Sequence, residues 1–110
     1  MNNLIEKVKQ WHHDRNLIEG STDLAQFGKL MEETLELHEG LLDKRWDSYH
    51  YDNPSVTDIK DAIGDIIVVL INIAERNGLT LEQCLEHAYN DIKDRKGKMV
   101  NGVFVKEQAA

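Results

Sequence analysis

The most apolar stretch of the chain, Thr57 to Asn77 (TDIKDAIGDIIVVLINIAERN), holds six apolar residues in a row from Ile66 to Ile71, yet carries Asp58, Asp61 and Asp65 near its start. Positions 58, 61, 65, 68 and 72 step by 3, 4, 3 and 4, which puts the aspartates and Asn72 on one stripe of a helix. β-branched residues favour a strand, but about 20 residues without a turn signal is too long for one. A carboxylate buried without a partner costs several kcal/mol, so an apolar helix with an acidic stripe calls for a cation.

The same pattern predicts three further helices. The first, over 3–15, carries Leu4, Ile5, Val8 and Trp11 on one face, with Asn3 and Glu6 placed as a capping box. Gly20-Ser21-Thr22 breaks the chain before the second, over 22–42. There Leu24, Phe27, Leu30, Met31, Leu35, Leu37, Leu41 and Leu42 cover more than one face, and Gln26, Lys29, Glu33, Glu36 and Gly40 form a polar stripe. Residues 43–54, with Trp46, Tyr49, His50, Tyr51 and Pro54, read as a long connection to the helix over 57–77, which Gly78 would end. Thr80 and Gln83 fit a capping box for the last helix, over 80–96, with Leu81, Leu85, Ala88 and Ile92 as a buried stripe. Asn101-Gly102 between short apolar runs predicts a two-residue hairpin over 99–105. The expected fold is all-α, a four-helix bundle with a short C-terminal β-hairpin in one domain spanning 1–110.

Charge narrows the function classes. Thirteen Lys and Arg against 20 Asp and Glu give a net charge of -7, which argues against a general nucleic-acid binder. A single cysteine, Cys84, and no apolar run near 18 residues point to a cytoplasmic protein without a membrane span. Because the third helix is apolar nearly all round, a homodimer or homotetramer is expected.

Glu32, Glu33 and Glu36 on the second helix face Asp58, Asp61 and Asp65 on the third in this reading, forming an all-oxygen cage suited to Mg²⁺, with Mn²⁺ as a substitute. Acidic residues three or four apart on a helix are commonly just a solvated face. A di-iron bundle would need Glu-x-x-His, and no histidine here has a Glu three residues before it.

Lys29-Leu-Met-Glu-Glu33-Thr-Leu-Glu36, then Asp61-Ala-Ile-Gly64-Asp65, then Asn90-Asp-Ile-Lys93-Asp-Arg95, together resemble the MazG-like nucleotide pyrophosphohydrolases of the all-α NTP pyrophosphatase superfamily. The resemblance runs from about Trp11 to Arg95 and implies a MazG-like bundle that hydrolyses a nucleoside triphosphate to the monophosphate and pyrophosphate with Mg²⁺. It assigns Glu33, Glu36 and Asp65 to the metal. The family's further Glu falls on Ala62, so either Asp61 takes its place or the ion has one ligand fewer. Glu32 or Glu33 would be the general base. Asn90, Lys93 and Arg95 correspond to the segment near the phosphates, with Lys29 and Asn72 as further substrate contacts. Trp11-His12-His13-Asp14-Arg15-Asn16-Leu17 resembles the stretch that holds the nucleoside, which adds Trp11, His12, Arg15 and Asn16. The rival from another class is a non-catalytic helical module that docks a partner on its acidic face.

Overall fold

A computed structural model describes the backbone over residues 2–46 and 54–107, with side chains over 3–42 and 58–107. Four helices and a hairpin follow in order: α1 (Asn2–Asp14), α2 (Asp23–Trp46), α3 (Pro54–Arg76), α4 (Leu81–Ile92), β1 (Gly97–Val100) and β2 (Val103–Lys106). The protein is thus mostly helical, with a two-stranded antiparallel C-terminal hairpin. No helix among the described residues is long and apolar enough to cross a membrane.

The chain divides into two compact units, Met1–Thr80 and Leu81–Ala110. In the first, α3 packs against both α1 and α2. The buried apolar residues explain why: among the described residues Ala62, Val69, Ile71 and Ala74 all lie on α3, and only Ile5 comes from elsewhere. Close approach of α2 is possible at Gly40, where an added Cβ would stand 3.2 Å from Ile59 Cγ1. Gly40 and the buried Ala62 thus let the two helices meet where the acidic residues gather.

Local chemistry sets several boundaries. Thr22 caps α2, its Oγ1 accepting the Ala25 N–H at 3.1 Å. Gly78, at φ 71°, ends α3: its N–H reaches the Glu75 carbonyl and the Leu79 N–H the Ala74 carbonyl, a paired left-handed cap. The same motif closes α1, with Asn16 at φ 57° and the N–H groups of Asn16 and Leu17 on the carbonyls of His13 and His12.

Other expectations change. α1 starts at Asn2, so Asn3 is already helical and Glu6 pairs with Lys9 at 3.1 Å instead of closing a capping box. α2 continues to Trp46 and α3 begins at Pro54, a residue pre-set for a first helical position, so both helices absorb residues read as connection. Tyr49, His50 and Tyr51 of that stretch lie outside the described residues.

In the second unit α4 stops at Ile92 instead of 96, because Lys93–Lys96 turn back to feed a hairpin that starts earlier than expected, at Gly97. Gly97 pairs with Lys106 and Val100 with Val103, across Asn101 (φ 51°) and Gly102 (φ 83°). The expected buried stripe of α4 is exposed: no residue of the helix is buried, and Leu85 is 70% accessible.

Because an L side chain resists the left-handed conformation, Gly78→Ala should lower unfolding free energy by about 1 kcal/mol or more. Urea denaturation against the parent protein checks this.

Candidate metal centre on helices α2 and α3

Glu33 is the one acidic residue among the described residues that is buried, 5% exposed, despite a charge that favours water. Its Oε1 takes a 3.1 Å ion pair from Lys29, one turn earlier on α2, and Lys29 also reaches Glu32 at 3.6 Å. The hydrogen bond to Glu33 is the main reason the Lys29 ammonium is held above its ordinary pKa. Glu33 Oε2 is buried and has no hydrogen-bond donor.

Around this carboxylate lies more negative charge. Glu33, Glu36 and Asp65 each offer a carboxylate oxygen within 4.8 Å of the others. Adjacent oxygens on one octahedral Mg²⁺ lie about 3.0 Å apart and opposite ones about 4.2 Å, so a pair at the 4.8 Å limit would close by up to about 1.8 Å to share an ion. An all-carboxylate donor set with an orphaned buried oxygen fits a hard divalent cation. The opening beside it, about 430 Å³, is lined by Glu36, Glu39, Gly40, Asp58, Asp61, Ala62 and Asp65.

Electrostatics record the crowding. The Glu36 pKa is raised, first because its protonated form can hydrogen-bond Glu33 and then because the Glu33 charge opposes its own. Asp65 is also raised, chiefly by desolvation, then by Glu33 and Asp61, with Lys29 acting in the opposite direction. Asp61 lines the opening and exerts its charge on Asp65, but lies outside the three-residue oxygen group. Ala62, beside Asp61, is buried at 3% exposure. Glu32 is exposed, held only by Lys29.

A second polar cluster joins α1 to α3. His12, 2% exposed, donates from Nε2 to the Val68 carbonyl at 2.9 Å, and its Nδ1 accepts from Asn72 Nδ2 at 3.2 Å. Asn72, fully buried, also donates to the Leu17 carbonyl at 3.0 Å, while its Oδ1 has no partner. At the surface the Arg15 guanidinium lies 4.3 Å from the Trp11 ring centre, and Arg15 also donates to the Trp11 carbonyl at 3.2 Å. The Trp11 ring meets His12 edge-on at 5.3 Å.

The structure therefore brings Lys29, Glu32, Glu33, Glu36, Asp61 and Asp65 to one region, and Trp11, His12, Arg15, Asn16 and Asn72 to another, both in the first unit. Asn90, Lys93 and Arg95 belong to the second unit, where Arg95 pairs with Asp91 at 2.7 Å beside a depression of about 310 Å³. Three features escaped the sequence reading: Glu75, whose carboxylate holds His13 at 2.7 Å; Arg76, bound to Asp23 and the Ile18 carbonyl; and the use of Asn72 as an internal donor. No spacing rule flags them, because each partner is 50 or more residues away.

Comparison with known proteins adds little. The chain is similar, at 45% identity over 74 residues, to an uncharacterized 18.2 kDa protein in the rep-hol intergenic region of Haemophilus phage HP1 (strain HP1c1). That match takes in 67% of this chain and 39% of the phage protein. No protein-family model matches, and no solved structure matches.

The raised pKa values fix a sign. Glu36 and Asp65 hold protons more readily folded than unfolded, so their contribution to stability is present below the ordinary carboxylate pKa and is lost as pH rises through the raised values. Without divalent ions, the parent protein should therefore lose stability relative to a Glu36→Gln, Asp65→Asn variant on going from mildly acidic to neutral pH. Millimolar Mg²⁺ or Mn²⁺ at neutral pH should raise the melting temperature of the parent and leave that of the variant unchanged. Thermal melts at several pH values, with and without the ion, read both effects.

Proposed function

We propose that the protein is a Mg²⁺-dependent nucleoside triphosphate pyrophosphohydrolase, using Mn²⁺ as a substitute, with a MazG-like bundle and a cytoplasmic site of action. The observation that carries this reading is the buried Glu33, whose Oε2 has no donor and whose carboxylate has an oxygen within 4.8 Å of oxygens of Glu36 and Asp65. A wholly solvated acidic face would not bury one of its carboxylate oxygens without a donor. The motif order along α2, α3 and α4 supplies the reaction class.

Glu33, Glu36 and Asp65 hold the ion, with Asp61 supporting Asp65 from the rim of the opening. Bound there, Mg²⁺ supplies the positive charge that lets a triphosphate approach three carboxylates and makes a water easier to deprotonate. Glu32, exposed, outside the oxygen group and paired with Lys29, is the carboxylate we assign to take the proton from the attacking water. Water oxygen bonds to the α-phosphorus, the bond from that phosphorus to the bridging oxygen breaks, and pyrophosphate leaves. Lys29 holds Glu33 in place. The stacked Trp11 and Arg15 offer an aromatic and a cationic surface for the nucleoside. Asn90, Lys93 and Arg95 enter as phosphate partners through the motif alone.

Apolar exposure supports self-association. Leu24, Phe27, Met31 and Leu35 are each at least half exposed along α2, with an apolar hollow of about 410 Å³ among Phe27, Leu30, Met31, Thr34 and Leu35. Ile63, Ile67 and Leu70 are also exposed on α3. Such faces on a small domain are ordinarily covered by another protein surface. We read them as the interface of a homodimer or homotetramer. The same exposure favours, as a second reading, the non-catalytic partner-binding module.

Incubation with Mg²⁺ and a panel of NTPs and dNTPs separates the two readings: pyrophosphate is expected, and no product with any nucleotide favours the binding module. Glu32→Gln should keep the Mg²⁺-induced stabilisation and lose activity, whereas Glu36→Gln should lose both, with activity down at least about 100-fold. Light scattering should give a mass of two or four chains, and Met31→Glu should shift it toward one.

A further inference from the structure

We infer that Asn72 and His12 are positioning residues which fix the Trp11–Arg15 stack against α3, and so set nucleotide affinity without touching the nucleotide. The inference deepens the pyrophosphohydrolase reading and rests on it for the identity of the ligand. Its structural part stands alone.

The hydrogen-bond pattern admits one arrangement. The Leu17 carbonyl can only accept, so the Asn72 amide nitrogen must face it; the reverse orientation would set two oxygens against each other. That nitrogen also points at His12 Nδ1, which must therefore be the unprotonated ring nitrogen. The other ring nitrogen faces a second carbonyl, Val68 O, and must carry the proton. Two acceptor-only groups on separate segments thus impose the same Nε2–H tautomer. With both nitrogens engaged and the ring 2% exposed, His12 has nothing left to offer a ligand.

Its neighbours are the exposed pair. Trp11 touches the His12 ring edge-on, Arg15 stacks on Trp11, and the cap formed by Asn16 and Leu17 closes on the His12 carbonyl. Asn72 grips this turn twice, through the His12 ring and through the Leu17 carbonyl. It stands seven residues beyond Asp65 on the same helix, about 10 Å along the axis. One helix, α3, therefore carries Asp65 of the acidic cluster and, through Asn72, holds the turn beside the aromatic platform. Asn72 leaves its own Oδ1 buried without a partner while its nitrogen satisfies two acceptors of this turn.

The test combines a spectroscopic and a kinetic reading. Nitrogen-15 NMR of the histidine rings in the unmodified protein should show His12 as the Nε2–H tautomer; an Nδ1–H or doubly protonated ring overturns the inference. In Asn72→Ala the Trp11 indole N–H resonance should shift while the Mg²⁺-induced rise in melting temperature persists. An unmoved indole signal overturns it. Asn72→Ala should raise KM for the hydrolysed nucleotide by about 10- to 100-fold and change kcat less than KM, as displacement of a binding group does. A fall in kcat with KM unchanged, or no change in either, overturns it. His12→Gln can still donate to Val68 O and accept from Asn72, so it should retain far more affinity than His12→Ala; equal losses would show that the imidazole itself acts. If Asn72→Ala does not fold, the tautomer and the two His12 variants decide. If the unmodified protein hydrolyses no nucleotide, the pyrophosphohydrolase reading fails alone, and the tautomer and indole signal still decide this one.

Discussion

Burying the Glu33 carboxylate is the constraint to which the first unit is fitted. An ionised group removed from water must be paired, and Lys29 pairs one oxygen of a carboxylate that sits beside those of Glu36 and Asp65. Several local choices follow. Gly40 and Ala62 keep α2 and α3 close enough for their carboxylates to converge. Lys29 stands one turn before Glu33 on the same face of α2 and pairs with it at 3.1 Å.

α3 carries the consequences along the chain. Its buried apolar residues make the core, its N-terminal half brings Asp65 to α2, and its C-terminal half holds the turn after α1 through Asn72 and Arg76. A displacement of this helix would be felt at both polar clusters together, because the same rigid rod passes beneath each.

Much of this was legible in the sequence, and what was legible is local. Thr22, Gly78 and Asn101-Gly102 each act through their own backbone angles or nearest N–H groups, so their effect could be read without knowing what the chain packs against. The convergence of Glu33, Glu36 and Asp65 was legible for a related reason: each pair within a helix is fixed by spacing, leaving only one contact between helices to be supplied. The missed features depend on distant partners. Asn72 read as part of the acidic stripe because spacing gives a face and not what covers it; at its end of α3 the cover is the His12–Leu17 turn. The ends of α2 and α4 were misjudged because good helix formers carry no stop signal of their own at residues 43–46, and none that forces continuation at 93–96.

Lys29 has a consequence for how the chain reaches this structure at all. A tethered ammonium is present at fixed local concentration from the moment α2 forms, whereas a divalent ion must be captured from solution. Half of the Glu33 charge is thus answered by the helix itself before α3 closes over it. The core can then close over a carboxylate that already has one partner, supplied by a lysine four residues ahead of it on the same helix.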